Sequence, residues 1–157
     1  MIRAPKISPE LGEFLESGLS IVVATRDGRL RPNGSVAWAT RVAPGGSRLT
    51  VFLHEDAARA MLANLESWPE IALDFDRPTS HRACQVKGRY LSTRAARADE
   101  KELVDRQVES FAADLEVLGY PRTLAGAWTV WPCHVLEVEV TQIFEQTPGP
   151  GTGEPMA

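Results

Sequence analysis

Hydrophobic and polar residues alternate with two different periods along this chain, and the change between the periods is sharpest in residues 49–65. Leu49, Val51 and Leu53 alternate with their neighbours at the two-residue period of a β-strand that buries at least one face. The residues that follow have the spacing of a core-facing helix stripe: Ala58, Met61, Leu62 and Leu65. The pattern therefore predicts a strand that runs directly into a helix, with Asp56 as the N-terminal cap of that helix.

Five further strands are predicted from alternating or continuous apolar runs, at residues 19–25, 34–42, 71–75, 82–91 and 132–144. Gly88 is expected to mark a bend or bulge within its strand. Ser8 and Pro9 have the residue types of a helix cap and a first helical position, so they predict a short N-terminal helix that ends at Gly18.

A longer amphipathic helix is predicted over residues 95–118, and Gly119 is its expected C-cap. Its apolar stripe consists of Val104, Val108, Phe111, Leu115 and Leu118. Residues 124–128 fit either a short helix or a loop. The pattern as a whole predicts a mainly β protein, a six-stranded antiparallel barrel with a short crossover helix and one longer covering helix.

Composition restricts the possible functions. The chain has 157 residues, which suits one domain, expected at residues 1–146, followed by a Gly/Pro-rich tail at residues 147–157. A net charge of −4 with scattered basic residues argues against a nucleic-acid binder. No apolar stretch has the length of a membrane span, and the N-terminus lacks a signal-peptide core, so we expect a cytoplasmic protein with no membrane partner. Cys84 and Cys133 are interpreted as buried core residues and not as a disulfide or a metal pair.

No familiar catalytic or metal-binding motif is present, and no metal is expected. The free N–H groups at the start of the helix after residue 53, with Arg59 in its first turn, predict an anion site, although a simple capped connection explains them too. Arg82, Gln85 and Lys87 fit either a polar ligand or a solvated strand face. Residues 146–153 fit either a loop that wraps an anion or a mobile terminus.

With this order of elements, residues 19–146 resemble the FMN-binding split-barrel proteins related to pyridoxamine 5′-phosphate oxidase. The resemblance rests on several short segments, ATRDG, GSVAWAT, TVFLHE, AARAMLANL, WPEIALDF and QVKG. It implies a split β-barrel homodimer that binds two FMN molecules at its interface, with the phosphate held at the start of the short helix. No segment resembles the substrate-binding C-terminus of the true oxidases, so pyridoxamine phosphate oxidation itself is not implied.

The resemblance also implies a set of cofactor-binding residues. Arg59 and Asn64 match the phosphate-binding helix of the family, whereas Met61 stands where a lysine is expected, which removes one phosphate contact. The isoalloxazine ring would lie against Val36, Ala37, Trp38 and Ala39. The ribityl chain or phosphate would lie near His54 and Glu55, and the flavin would also be within reach of Arg82, Gln85 and Lys87.

The leading hypothesis is a flavin-dependent oxidoreductase that acts on an unknown small molecule, in which the flavin supplies the redox chemistry. His54 is the candidate proton donor, since imidazole exchanges protons near neutral pH. The alternative is a non-catalytic split-barrel protein that has lost FMN, or that binds haem or another ligand through His54, His81 or His134. A purely structural or regulatory dimer is the third possibility.

Overall fold

Seven antiparallel strands form one sheet in the computed structural model, which describes residues 5–156. Residues 1–4 of the predicted domain and residue 157 of the predicted tail lie outside the described residues. In chain order the strands are β1 Ser20–Arg26, β2 Pro32–Ala37, β3 Ala39–Val42, β4 Arg48–His54, β5 Glu70–Asp76, β6 Ala83–Ala95 and β7 Cys133–Glu145. Their order across the sheet is β2-β1-β5-β6-β7-β4-β3.

The prediction of six strands was wrong because the predicted strand 34–42 is broken at Trp38. β2 pairs with β1 at one end of the sheet, whereas β3 pairs with β4 at the other end, so Trp38 alone connects the two end strands. The break also reverses the faces of the strand. Ala37 is buried in the barrel core, and Ala39 is buried in a separate cluster outside it. Alternation in the sequence continues across the break and therefore could not reveal it.

Helix α2, Glu55–Ser67, packs its predicted apolar stripe against the barrel core. Ala58, Met61 and Leu65 are buried in the barrel core, and Leu62 packs against it half-buried. The strand before it has two buried sides, because Leu49, Val51 and Leu53 face the barrel core while Phe52 is buried in the outer cluster. The predicted strand-to-helix junction is confirmed.

Helix α1, Pro9–Leu15, begins as predicted, because Ser8 Oγ accepts a hydrogen bond from Leu11 N at 3.2 Å. The long helix α3, Lys101–Val117, starts six residues later than predicted. Strand β6 continues to Ala95 along the equally long β7, and a 3₁₀ turn at Ala98–Glu100 follows it. Within the predicted stripe, Val104 is buried but Leu118 lies beyond the helix and is 48% exposed.

Two segments whose sequence patterns fit more than one structure adopt defined conformations. Residues 122–127 form a 3₁₀ helix, Arg122–Ala127, which resolves the choice between helix and loop for most of that segment. The Gly/Pro-rich tail folds back along the end of β7, where Glu145 N donates to Glu154 O at 2.9 Å and Met156 N donates to Ile143 O at 2.8 Å.

Gly88 lies at a register shift between β6 and β7, which confirms the predicted bulge. Within residues 5–156, no helix combines the length and apolar character needed to cross a membrane.

Candidate functional site

Two predicted cofactor residues from distant parts of the chain, Val36 and Gln85, lie in one row on the side of the sheet that points away from the barrel core. Val36 on β2 is paired with Val22 on β1, Val22 with Asp74 on β5, and Asp74 with Gln85 on β6. Because neighbouring strands are about 4.8 Å apart, Val36 and Gln85 are separated by roughly 14 Å. Val22 and Val36 are 44% and 45% exposed, so this row presents apolar surface to solvent.

A second row of small residues lies beside the first. Gly34, Ala24 and Ala72 are paired in turn, and the row ends at the predicted cofactor residue Lys87. Because none of these three residues carries more than a methyl group, they leave a shallow strip in which a flat ring could approach the backbone closely. We call the two rows together the outer face. Its carboxylate is Asp74, whose pKa is raised by burial and, to a smaller extent, by the charge of Asp76.

The bend between β2 and β3 exposes only part of the predicted isoalloxazine-binding segment. Ala37 and Ala39 are 1% and 0% exposed as whole residues, so neither presents surface to a ligand in this structure. The Trp38 ring is half-buried and stacks on Trp128 with ring centroids 5.4 Å apart. Trp128 in turn stacks on Phe111 of α3 at 5.5 Å. The stack fixes Trp38 against the covering helix and leaves Val36 as the exposed side chain of the bend.

The start of α2 differs from the predicted anion site. The helix begins at Glu55, and its cap is His54 and not Asp56, because His54 Nδ1 accepts a hydrogen bond from Asp56 N at 3.4 Å. Arg59 is 74% exposed and its Nη2 lies 3.3 Å from Asp56 Oδ1. The carboxylates of Glu55 and Asp56 in the first turn oppose the attraction of a helix N-terminus for anions.

Met61 and Asn64 lie on different sides of α2. Met61 is 0% exposed in the barrel core, so a lysine at this position would bury its ammonium group away from any surface ligand. Residue 61 is therefore not a surface position in this fold, and its side chain could not contact the phosphate of a surface ligand. Asn64 Nδ2 donates to Thr25 Oγ1 at 3.1 Å and joins α2 to β1.

Arg82 and Lys87 are held over aromatic rings at different places. The Arg82 guanidinium carbon lies 4.1 Å from the centroid of the Phe14 ring on α1, which keeps Arg82 at the β5–β6 turn. Lys87 Nζ lies 5.0 Å from the centroid of the Phe144 ring on β7, at the edge of the outer face. Of the three polar residues predicted on this strand, the structure brings Gln85 and Lys87 to the outer face with Val36 and leaves Arg82 at the turn.

A small pocket of about 320 Å³ lies between the β1–β2 turn and the second half of α2. It contains Asn64 together with residues that carry no predicted cofactor role: Asp27, Gly28, Arg29, Arg31, Ala63, Ser67 and Trp68. Its two arginines and one aspartate give a net positive charge. The available sequence signal was the arginine-rich turn RDGRLR.

Asp27 organises this turn. Its Oδ1 accepts hydrogen bonds from Arg29 N at 2.8 Å and Arg31 N at 2.9 Å, and its Oδ2 accepts one from Arg31 Nε at 2.7 Å. Hydrogen bonds from Arg31 are the main cause of the lowered pKa of Asp27. Asp27 therefore neutralises Arg31, whereas Arg29 has no ion pair among the described residues.

The three histidines do not converge. His54 is paired with Cys133 across β4 and β7, and His134 with Leu53, so the two imidazoles point to opposite faces of the sheet. His81 lies in the β5–β6 turn with a φ of 57°.

Cys84 and Cys133 are both free and buried, and burial is the main cause that raises the pKa of each thiol to about 12. Within residues 5–156 no group of three or more His, Cys, Asp or Glu side chains could hold a metal ion.

Comparison with known proteins defines the fold. No protein-family model and no curated protein sequence matches this chain. Among solved structures, HupZ of Group A Streptococcus superposes with a TM-score of 0.56 at 17% identity, covering 94% of this chain and 99% of that chain. A proposed pyridoxamine 5′-phosphate oxidase from Lactobacillus delbrueckii gives 0.55 at 13% identity, covering 91% and 97%. An F420 reductase gives 0.57 at 18% identity, covering 87% and 98%.

These similarities extend over nearly whole chains. The chain therefore has the split-barrel fold of pyridoxamine 5′-phosphate oxidase-like proteins, as the sequence resemblance implied. At identities of 13–18% the likeness establishes the fold alone, and function has to be argued from the residues of this chain.

Proposed function

We propose that two copies of this chain associate through the outer face and bind FMN there, and that the protein is a flavin-dependent oxidoreductase acting on a small molecule. The main support is the strand register that places Val36, Gln85 and Lys87 on one exposed face beside the small residues Ala24 and Gly34. A flat ring can lie against such a strip, and Gln85 and Lys87 supply polar groups at its edge. The cytoplasmic location inferred from the sequence stays a prediction.

A second copy would remove apolar surface from water on this face. Val22 and Val36 are adjacent and each is nearly half exposed. Burial of their remaining exposed surface contributes roughly 1–3 kcal/mol per copy, since complete burial of an exposed valine is worth about 1.5–3 kcal/mol and each of these is already more than half buried. The homodimer and the flavin are thus proposed for the same surface.

Two positions compete for the FMN phosphate. Arg59 follows from the family resemblance, but Asp56 already pairs with it. The pocket at the β1–β2 turn offers the unpaired guanidinium of Arg29, the side chain of Arg31 and the amide of Asn64. We favour this pocket because an anion there would meet a net positive charge, whereas an anion at the start of α2 would meet the carboxylates of Glu55 and Asp56.

The first experiment is the absorption spectrum of the purified protein, followed by titration with FMN and with riboflavin, which lacks the phosphate. Flavin absorbance or micromolar FMN affinity supports the proposal. A Soret band would instead support the haem-binding alternative, and a colourless protein indifferent to micromolar FMN would overturn the flavin function.

The phosphate position is tested with Arg29→Gln and Arg59→Gln as a matched pair. Loss of a charge-assisted contact at a partly exposed site weakens FMN binding about tenfold. We expect this loss in Arg29→Gln, with riboflavin affinity unchanged, and little effect in Arg59→Gln. The opposite result would assign the phosphate to the start of α2.

The dimer is tested with Val22→Lys and, as control, Val117→Lys at the end of α3, where the valine is 77% exposed. Sedimentation equilibrium should show a monomer for Val22→Lys and an unchanged dimer for Val117→Lys. A wild-type monomer at tens of micromolar, or a dimer that survives Val22→Lys, would contradict an interface at the outer face.

A further inference from the structure

A second concave surface adjoins the outer face at its β7 edge, where the lining residues Gln142 and Phe144 pair with Lys87 and Gln85. It is a cleft of about 1170 Å³ between α1, the β3–β4 turn and the end of β7, and we call it the α1 cleft. None of the predicted cofactor residues lines it. Its volume exceeds the range of about 300–1,000 Å³ that is usual for small-molecule pockets, so a ligand would fill part of it.

Two chain segments form the walls of the α1 cleft. On one side, Ile7 N donates to Gly46 O at 2.9 Å, which ties the segment before α1 to the β3–β4 turn. On the other side, the tail returns along β7 and seats Met156 against the barrel core. The tail thus forms one wall of the cleft, although its Gly/Pro-rich composition does not predict an ordered structure.

The lining of the cleft combines an apolar floor with an acidic lip. Ile7, Val42, Ile143 and Met156 provide apolar surface. Glu13 and Glu16 lie three residues apart on the same side of α1, and among the described residues Glu13 forms no ion pair. The lining cation is Lys6, which is exposed on the segment before the helix.

We propose that the α1 cleft binds amphiphilic cations, molecules with an aromatic or aliphatic body and a protonated amine. The body would lie on the apolar floor, and the ammonium group would approach Glu13, with Glu16 adding negative potential while it accepts a hydrogen bond from Val42 N at 2.5 Å. An anionic ligand would face both carboxylates, so the charge of the lip selects against it. The cleft adjoins the outer face but is lined by none of the residues proposed to hold the flavin.

Gly12 allows a cleft-blocking variant. A Cβ at Gly12 would lie 3.9 Å from Ile7 Cγ2 and from Val42 Cβ, which is ordinary contact distance. A longer side chain at this position would extend over the cleft floor without displacing backbone. Gly12→Leu is therefore expected to fold and to fill the cleft, and Glu13→Gln removes the free carboxylate while conserving shape.

The test uses dansylcadaverine, a naphthalene sulfonamide with a primary alkylamine, and its N-acetylated derivative, which has the same body without the charge. Fluorescence titration should show the amine binding about three- to fivefold more tightly than the acetylated probe, which is the effect of an exposed ion pair. Glu13→Gln should abolish this preference, and Gly12→Leu should weaken both probes at least tenfold, with a melting temperature no lower than that of the wild type.

Equal affinity for the two probes would overturn the cationic specificity. Unchanged binding in a folded Gly12→Leu protein would overturn the location. The same variants are titrated with FMN, whose affinity should stay at the wild-type value because the two sites share no residue. Loss of FMN binding in Gly12→Leu would show that the cleft is not a separate site and would contradict this proposal without affecting the flavin function.

Discussion

The side-chain amide of Gln107 on α3 takes the place of a neighbouring strand for Thr40 on β3. Gln107 Nε2 donates to Thr40 O at 2.7 Å, and Gln107 Oε1 accepts from Thr40 N at 3.0 Å. The two residues are 2% and 0% exposed. Because β3 is an end strand of the sheet order, the backbone groups of Thr40 on this side would otherwise be buried without partners.

Replacing Gln107 with methionine keeps the length of the side chain and removes both hydrogen bonds. Leaving two buried backbone groups unpaired should lower the free energy of unfolding by roughly 2–4 kcal/mol. The melting temperature should fall by roughly 5–15 °C for a domain of this size. Thermal and urea unfolding measure the effect, with the exposed neighbour Arg106→Met as control at within about 0.5 kcal/mol. Equal stabilities of the two variants would show that the amide does not support the strand edge.

Most of the strands were predictable because a two-residue period needs only local information. The pairing of Gln107 with Thr40 was not, since it joins residues 67 positions apart and places a glutamine within an apolar helix stripe. The break at Trp38 was hidden for a related reason. The strand breaks because β2 and β3 pair with different strands. The alternation of apolar and polar residues in a segment does not indicate which strand it pairs with.

Adjacent glycines in the β3–β4 turn should respond very differently to alanine. Gly46 has a φ of +70°, and a Cβ there would lie 2.1 Å from Ile7 O, a backbone atom. Gly45 has a φ of +84° but nothing within 4 Å. Gly45→Ala should cost about 1 kcal/mol of unfolding free energy from backbone strain alone. Gly46→Ala should cost about 3 kcal/mol or more, because a steric clash is added to the strain.

Urea unfolding of the two variants checks this difference. Gly46→Ala should also weaken dansylcadaverine binding, since it displaces the segment that forms one wall of the α1 cleft. Similar stabilities for both alanine variants would contradict the close approach of Ile7 to the turn.

The candidate site was predicted in part. Alternation correctly put Gln85 and Lys87 on one strand face, and the resemblance added Val36, but only the register shows that these residues share a surface. Asp56 is the cap that the sequence predicts for α2 because aspartate is a favoured cap residue, whereas the helix starts two residues earlier and uses His54. Arg29 was missed because a charged turn is usually only a solvated loop, and its position beside Asn64 depends on tertiary packing.

His54 has two separable roles, one observed and one proposed. As the cap of α2 its Nδ1 accepts a hydrogen bond from Asp56 N, and removal of a cap side chain costs about 1 kcal/mol. His54→Ala should show this loss in urea unfolding, whereas His54→Asn should retain most of the stability because an asparagine oxygen can accept the same hydrogen bond.

The proposed proton transfer is tested on the same two variants loaded with FMN. After reduction with dithionite, the rate of reoxidation by oxygen is measured between pH 5 and 8. If His54 exchanges a proton with the flavin, both variants should lose the pH dependence seen in the wild type while still binding FMN. An unchanged pH profile in His54→Asn would remove the catalytic role and leave the capping role intact.

Glu100 should make stability depend on pH in the acid range. Its carboxylate is 1% exposed and forms two contacts of 2.7 Å with the Arg94 guanidinium, and Arg97 N donates to it at 2.9 Å. The hydrogen bonds from Arg94 are the main cause that lowers the pKa of Glu100 from 4.5 to about 2. Below pH 4.5 the unfolded chain binds a proton at this residue and the folded protein does not, so stability is complete above pH 4.5 and is lost as the pH falls toward 2.

The shift in pKa corresponds to about 3 kcal/mol of unfolding free energy. Glu100→Gln should therefore be less stable than the wild type by about 3 kcal/mol at pH 6. The difference should shrink to less than about 1 kcal/mol at pH 2.5, because Glu100 is then protonated in the unfolded chain, which offsets most of the stabilisation from the ion pair that persists in the folded protein. Urea unfolding at both pH values measures this convergence. Glu109→Gln, which removes an exposed partner of Arg122, is the control and should show a small difference at either pH. A Glu100→Gln deficit of the same size at pH 6 and pH 2.5 would mean that the effect is one of packing and not of the buried charge.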